Sequence, residues 1–149
     1  MIERIDLHEA YMQMAEVWSK RSYATRSKVG ALMVKDRQII SDGYNGMPTG
    51  FPNDEVEFLN SDGSIETNPL VLHAESNAIL KCAKSGGVSS EGSTLYVTMS
   101  PCIHCCKLII QSGIKNVFYR VAYRDTSSLE VLERANIKVV QLVKGDDHV

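Results

Sequence analysis

Two short segments of the sequence contain the residue types that bind zinc. The first is His73-Ala74-Glu75, and the second is Pro101-Cys102-Ile103-His104-Cys105. Imidazole nitrogens and thiolate sulfurs are ligands that zinc prefers in proteins. Because Cys102 and Cys105 are three residues apart, one helical turn brings their sulfurs together. The pattern therefore predicts a zinc site with His73, Cys102 and Cys105 as its ligands.

The number of ligands favours a catalytic site over a structural one. Three protein ligands leave the fourth zinc position open for water. Pro101 marks the beginning of a helix, where free N–H groups and the helix dipole favour thiolates. Glu75 lies two residues after His73, so its carboxylate is predicted to face that water and to act as the catalytic acid/base. This order of residues is the signature of zinc-dependent deaminases.

Two other interpretations of the cysteine pair remain open at this stage. Cys102 and Cys105 can form a redox dithiol, although His73-Ala74-Glu75 is then unexplained. A structural zinc is the second alternative, with His104 or Cys106 as its fourth ligand. We expect instead that His104 faces outward and that Cys106, like Cys82, is a small core residue.

Size and composition indicate one soluble domain. The chain has 149 residues, of which 44% are hydrophobic and 23% charged, so we expect a single domain over residues 1–149. A net charge of −2 disfavours a nucleic-acid partner. No apolar run approaches the length of a membrane span, and residues 1–10 lack the apolar core of a signal peptide. A cytoplasmic location is expected, with the cysteines as thiols or metal ligands and with His8 and His148 at the surface.

The hydrophobic pattern predicts an α/β fold. Predicted helices cover residues 7–21, 74–83, 101–111 and 127–135, and predicted strands cover 29–34, 38–44, 94–98, 116–121 and 137–143. Residues 46–69 are rich in Gly, Pro and Asn and are predicted to form one long loop. The alternation of strands and helices after this loop implies parallel crossovers. A hairpin of the first two strands beside them makes the sheet mixed, with helices on both faces.

Three segments resemble the deoxycytidylate deaminase family. They are VGALMVKDRQIISDGYNGMPTG at 29–50, HAESNAIL at 73–80 and LYVTMSPCIHCCKLIIQSGIKNV at 95–117. With the first helix and the closing helix and strand, the resemblance covers nearly the whole chain. It implies the cytidine-deaminase-like three-layer fold, in which a five-stranded mixed sheet lies between helices. It also implies the zinc ligands and the acid/base named above.

The resemblance also implies a substrate and residues that bind it. The expected reaction is hydrolysis of dCMP to dUMP and ammonia, a step of dTTP precursor synthesis. Asn45 matches the residue that binds the sugar hydroxyl in related deaminases, and the backbone around Ala74 is expected to read the pyrimidine edge. Arg26 and Arg124 are candidates for binding the 5′-phosphate, and Tyr123 for closing over the ring. The alternatives are a turn at Asn45, a solvated charge at Arg26, and ordinary loop positions at Tyr123 and Arg124.

Metal content and regulation follow from the same resemblance. Some viral members hold a second, structural zinc, but Ala24 and Asp54 occupy the corresponding positions here, so we expect one zinc per chain. The family is commonly hexameric, activated by dCTP, with Mg²⁺ accompanying the triphosphate, and inhibited by dTTP. The segment Gly43-Tyr44-Asn45-Gly46, interpreted as a turn, and the loop from Met47 to Pro69 match the family's effector region.

Two other functions compete with this interpretation. A tRNA adenosine deaminase of the same fold would carry a similar zinc motif, but the net charge of −2 and the Gly43-Tyr44-Asn45-Gly46 segment argue against it. A non-catalytic, zinc-stabilised binding protein is the rival from another class. It would hold zinc with four protein ligands and release no ammonia from any nucleotide.

Overall fold

The computed structural model describes residues 3–144. The helices are α1 (Leu7–Ser19), α2 (Ala74–Ser85), α3 (Ile103–Gln111) and α4 (Ser127–Arg134), and the strands are β1 (Gly30–Lys35), β2 (Gln38–Tyr44), β3 (Glu57–Leu59), β4 (Ile65–Thr67), β5 (Thr94–Met99), β6 (Asn116–Val121) and β7 (Lys138–Gln141). Strands β2 and β6 have the predicted bounds, and the other predicted elements differ by one or two residues at their ends. Within the described range, no helix is long and apolar enough to cross a membrane.

Five strands form one mixed sheet in the order β2-β1-β5-β6-β7. Strand β1 is antiparallel to both β2 and β5, whereas β5, β6 and β7 are parallel to one another. Asp36 and Arg37 join β1 to β2 and both have positive φ, at 51° and 63°, as a two-residue hairpin turn requires. The predicted hairpin and parallel crossovers are therefore confirmed.

Helices cover both faces of this sheet. On one face, Met12 and Ala15 of α1 pack against Leu32 and Phe118. On the other face, α2, α3 and α4 contribute buried side chains such as Ala78, Ile109 and Leu132 to a larger core. These three layers confirm the predicted cytidine-deaminase-like architecture.

A buried arginine joins α1 to β6. The Arg120 side chain is 4% exposed and donates hydrogen bonds to the carboxylates of Glu9 and Glu16. The hydrogen bond with Glu9 raises the pKa of Arg120 and lowers that of Glu9, so both stay charged near neutral pH. His8, on the same helix, is exposed as predicted, whereas His148 lies outside the described residues.

The predicted long loop over residues 46–69 contains secondary structure that the sequence pattern did not indicate. The segment contains a 3₁₀ turn at Asn53–Glu55 and a two-stranded hairpin formed by β3 and β4. Its ends are joined where Gly46 and Leu72 exchange two main-chain hydrogen bonds, of 3.1 and 2.9 Å. The two ends of the loop, one after β2 and one before α2, therefore lie side by side.

The segment Gly43-Tyr44-Asn45-Gly46 is not the predicted turn. Gly43 and Tyr44 belong to β2, and none of the four residues has a positive φ. A Cβ added at Gly43 would lie 2.6 Å from the carbonyl oxygen of Ala74 and 2.8 Å from the nitrogen of Ala78. The glycine is thus explained by the close packing of α2 on β2.

Candidate active site

The predicted metal ligands meet where two helices begin. His73 is the N-cap residue of α2, Cys102 is the N-cap residue of α3, and Cys105 lies in the first turn of α3. The Nδ1 atom of His73 is 3.5 Å from the Cys102 sulfur and 3.4 Å from the Cys105 sulfur. Tetrahedral zinc bonded to one nitrogen and two sulfurs would place these atoms about 3.5 Å apart. The three side chains therefore fit one zinc ion, with a fourth position open.

Desolvation shifts the ionisation of Cys105 and of His73. Desolvation raises the pKa of Cys105 well above its ordinary value, so without a cation this thiol keeps its proton. Desolvation also lowers the pKa of His73, and the nearby His104 lowers it by a smaller amount. The His73 imidazole therefore stays neutral and able to bind a metal. A divalent cation would stabilise the thiolates, and its binding would release protons.

The remaining cysteines and His104 lie away from this group. Among residues 3–144, His73, Cys102 and Cys105 form the only cluster of three or more potential metal-ligating side chains. His104 is exposed, and the sulfur of buried Cys106 is 3.5 Å from the carbonyl oxygen of Ser128. Cys82 is also buried, as predicted. No fourth protein ligand from the described residues completes the site, which disfavours a purely structural zinc.

Glu75 is buried in the first turn of α2 and is only 4% exposed. Desolvation raises its pKa to about 7, although a hydrogen bond with Cys105 opposes part of that increase. A carboxyl group with this pKa can both hold and release a proton near neutral pH. Its position beside the metal ligands suits the proton transfer predicted for it.

A cavity of about 560 Å³ opens beside the metal ligands and Glu75. Its volume lies in the usual range of small-molecule sites. The five residues predicted to bind substrate all line it: Arg26, Asn45, Ala74, Tyr123 and Arg124. Residues from four separate regions of the sequence are therefore brought to one cavity.

Asn45 holds the chain segment that enters β1. Its Oδ1 atom accepts a hydrogen bond from the nitrogen of Val29 at 2.9 Å, and its Nδ2 donates to the carbonyl oxygen of Ser27 at 2.8 Å. A side-chain amide has two donors and two lone pairs, so one donor and one lone pair remain. Asn45 is therefore a structural residue that retains hydrogen-bonding capacity toward the cavity.

The two candidate phosphate-binding arginines differ in their surroundings. Arg26 donates to the carbonyl oxygen of Ile65 at 2.8 Å and to the hydroxyl of Thr67, both on strand β4. Arg124 is exposed, and its side chain has no hydrogen-bond or ion-pair partner within the described range. Next to it, the main-chain nitrogen of Tyr123 donates a hydrogen bond to the hydroxyl oxygen of buried Ser100, at 2.6 Å. Arg124 thus has the less engaged guanidinium of the two.

Sequence reasoning missed the contribution of the hairpin to this cavity. Glu57 and Thr67 of the hairpin, with Val56 just before it, line the same cavity as the metal ligands. Glu57 makes its contacts with residues 25 and 26, which are more than 30 positions away in the sequence. No local spacing marks such a residue, and only the folded chain identifies it.

A buried Glu beside a His/Cys/Cys group, in a three-layer fold around a five-stranded mixed sheet, defines a zinc-dependent deaminase. Residues 5–121 match the family model of the cytidine and deoxycytidylate deaminase zinc-binding region. The chain belongs to this family.

Individual relatives agree with that assignment. The chain is 40% identical over 144 residues to ComE operon protein 2 of Bacillus subtilis, covering 95% of this chain and 74% of the relative. It is 38% identical to the deoxycytidylate deaminase of Mycobacterium phage D29, covering 79% of this chain and 97% of that protein. The crystal structure of dCMP deaminase from cyanophage S-TIM5 in complex with dCMP and dUMP superposes with a TM-score of 0.85 and 45% identity, covering 95% of this chain and all of that one.

Proposed function

We propose that this protein hydrolyses dCMP to dUMP and ammonia. The observation that carries the proposal is the group of His73, Cys102 and Cys105 beside buried Glu75, in a cavity of nucleotide size. The deoxycytidylate deaminase of phage D29 and the cyanophage dCMP deaminase, whose structure contains dCMP and dUMP, support the choice of substrate. The chain covers almost the full length of both relatives.

The chemistry assigned to this chain is proton transfer by Glu75. Zinc held by His73, Cys102 and Cys105 would supply Lewis-acid activation of the attacking water, whose pKa falls to about 7 at such centres. A carboxylate oxygen of Glu75 accepts a proton from that water while the water oxygen attacks C4 of the cytosine ring. Glu75 then delivers the proton to N3. Glu75 next moves the proton of the new C4 hydroxyl to the amino nitrogen, and the C4–N bond breaks, which releases ammonia and leaves the C4 carbonyl of the uracil nucleotide.

The other cavity residues orient the nucleotide in this proposal. The backbone around Ala74 reads the pyrimidine edge, and the unused donor and lone pair of Asn45 bind the 3′-hydroxyl. Tyr123 closes over the ring. Arg124 and Arg26 provide positive charge for the 5′-phosphate, which a charged guanidinium binds more strongly than a neutral donor would.

An ammonia-release assay with zinc-loaded protein tests the reaction and its substrate. We expect dCMP to give a higher kcat/KM than CMP, dCTP or deoxycytidine. A tRNA anticodon stem serves as a comparison substrate and is expected to release no ammonia. Faster turnover of deoxycytidine, or release from the tRNA alone, would contradict the proposal.

The proposal extends to metal content, assembly and regulation. We propose a single deaminase domain over residues 1–149, one zinc per chain, a cytoplasmic location and a homohexamer activated by dCTP with Mg²⁺ and inhibited by dTTP. The effector region includes Gly43, Tyr44, Asn45 and Gly46. Support comes from the attachment of this segment to α2, where Asn77 donates to the carbonyl oxygen of Tyr44 at 2.8 Å. A change at the segment would reach His73 and Glu75 at the beginning of that helix.

A further inference from the structure

The hairpin β3–β4 is attached to the segment before β1 by charged hydrogen bonds at the cavity rim. One Glu57 oxygen accepts from the nitrogens of Thr25 and Arg26 at 3.1 and 3.3 Å. The other accepts from the Thr25 hydroxyl at 2.6 Å. On strand β4, Ile65 and Thr67 accept hydrogen bonds from the Arg26 guanidinium.

The donors around Glu57 form an environment for an anion. Two consecutive main-chain N–H groups create a concave, positively polarised site, which proteins use for phosphate as well as for carboxylate. The Thr25 hydroxyl adds a third donor, and Nε of Arg26 lies 3.8 Å from the carboxylate. The hydrogen bond from this hydroxyl is the main reason that the pKa of Glu57 is lowered, so Glu57 is ionised at neutral pH. We call these donors, contributed by Thr25 and Arg26, the anion cradle.

The anion cradle lies in the cavity proposed for the nucleotide. Arg26 and Glu57 line that cavity together with Arg124, and the Glu57 side chain is 13% exposed. A phosphate entering this part of the cavity would meet a carboxylate that already holds the donors. Two anions a few ångströms apart repel each other, and the donors are too few for both. Only one of the two groups can therefore occupy the cradle.

The strands of the hairpin contribute little to the hydrophobic core. In the part of the chain that the structure describes, β3 and β4 pair only with each other. Phe58, Leu59 and Ile65 are 43%, 77% and 41% exposed, whereas Val56, at the base of the hairpin, is buried. Withdrawing Glu57 from the cradle thus breaks polar contacts, and Phe58, Leu59 and Ile65 belong to neither hydrophobic core cluster.

We propose that the anion cradle is the subsite for the 5′-phosphate of the substrate and that Glu57 is a built-in competitor, which the phosphate displaces. The inference rests on the proposed function in that the substrate is a nucleotide. Glu57 then lowers the affinity for phosphate-bearing ligands and not for nucleosides. Displacement of Glu57 also releases the hairpin wall of the cavity when a nucleotide binds.

Binding of inorganic phosphate to the zinc-loaded protein, measured by isothermal titration calorimetry, tests the competition. Glu57→Gln keeps the size of the side chain and removes its charge, so we expect roughly tenfold tighter phosphate binding, the scale of one charged contact. Glu66→Gln is the matched control, because it removes the same charge from the same hairpin at an exposed position that does not line the cavity. Unchanged or weaker binding by Glu57→Gln, or an equal gain in Glu66→Gln, would overturn the proposal.

A double variant tests the location of the subsite. Thr25→Val removes the hydroxyl donor of the cradle, so Glu57→Gln combined with Thr25→Val should lose most of the gain in phosphate affinity. A gain that persists in the double variant would place the phosphate elsewhere and overturn the assignment. The titration needs no turnover, so its outcome is independent of the ammonia-release assay that tests the reaction itself.

Discussion

Glu75 lies beside the metal ligands, where burial raises the pKa of its carboxyl group to about 7. Replacing Glu75 with Gln removes the proposed proton carrier and preserves the shape of the side chain. We expect kcat for dCMP to fall at least about 10²-fold, because proton transfer by a positioned group contributes on that scale. Zinc content and the unfolding temperature should stay close to those of the parent. Glu130→Gln, on the exposed face of α4, is the control, and a comparable rate in Glu75→Gln would refute the assignment.

Cys102 and Cys82 differ in their neighbours, and zinc content distinguishes their roles. Cys102→Ser should lose both metal and activity, since the sulfur 3.5 Å from His73 is a proposed ligand. Cys82→Ser is the matched control, because that sulfur contacts the carbonyl oxygen of Val88 instead. Elemental analysis of the parent should find about one zinc per chain from the single three-ligand cluster among the described residues. Two tightly held zinc ions would contradict our interpretation of Ala24 and Asp54.

Arg124 provides a test of the phosphate contact that does not involve the hairpin. Arg124→Ala should reduce kcat/KM for dCMP roughly tenfold or more, the usual range for a lost hydrogen bond to a charged group. The effect on deoxycytidine should be much smaller, because this substrate has no phosphate. Arg134→Ala, on α4 and outside the cavity, should affect neither substrate. Equal losses on both substrates in Arg124→Ala would indicate a structural role.

The residues of the site were predictable to different degrees. His73, Glu75, Cys102 and Cys105 belong to short segments whose spacing alone brings metal ligands together. Asn45, Ala74, Arg26, Tyr123 and Arg124 came from family resemblance, and all five line the cavity, while their contacts with substrate stay predictions. Glu57 carries no local signal, because its partners lie on a segment that precedes it by about 30 residues.

At the scale of elements, the packing of α2 on β2 sets the position of the proposed catalytic groups. Gly43 makes this packing possible, since a methyl group there would lie 2.6 Å from the carbonyl oxygen of Ala74. Gly43→Ala is expected to reduce the free energy of unfolding by about 1–3 kcal/mol, the usual cost of overpacking. Gly46→Ala is the control, because its added methyl group would meet no atom within 4 Å. Equal unfolding midpoints for the two variants in urea would contradict this account.

The elements that the sequence predicted well are those that place apolar side chains in the core. Strand β6, whose Val117 and Phe118 are buried on opposite faces of the sheet, has the predicted bounds. Strand β2, which is separated from β1 by a two-residue turn, has them as well. The hairpin β3–β4 was missed for a physical reason. Each of its strands has three residues, and nearly all of their side chains are exposed, so no apolar pattern distinguishes them from a loop. Its stability depends on pairing and on the contacts of Glu57 and Arg26, which a local pattern does not contain.

At the scale of the whole molecule, the sheet brings the metal ligands together. Helix α2 lies against β2 and β1 on the same face as α3 and α4, so the N-termini of α2 and α3 meet near the end of β5. His73 and Cys102 occupy the two N-cap positions at this meeting point. The segment that leaves β2 and the loop that returns to α2 are joined beside the same site by Gly46 and Leu72. A change in the loop therefore has a short path to the proposed zinc ligands and to Asn45.

This path leads to a prediction about regulation of the whole assembly. If a triphosphate effector orders the loop after β2, it biases the position of Asn45 and α2 in every subunit, and substrate binding becomes cooperative. Steady-state rates should then be sigmoidal in dCMP alone, become hyperbolic with dCTP and Mg²⁺, and fall with dTTP. The same samples should sediment as a hexamer, and dGTP serves as the control triphosphate. A hyperbolic dCMP curve that neither dCTP nor dTTP alters would leave the deaminase chemistry intact and disprove the regulation.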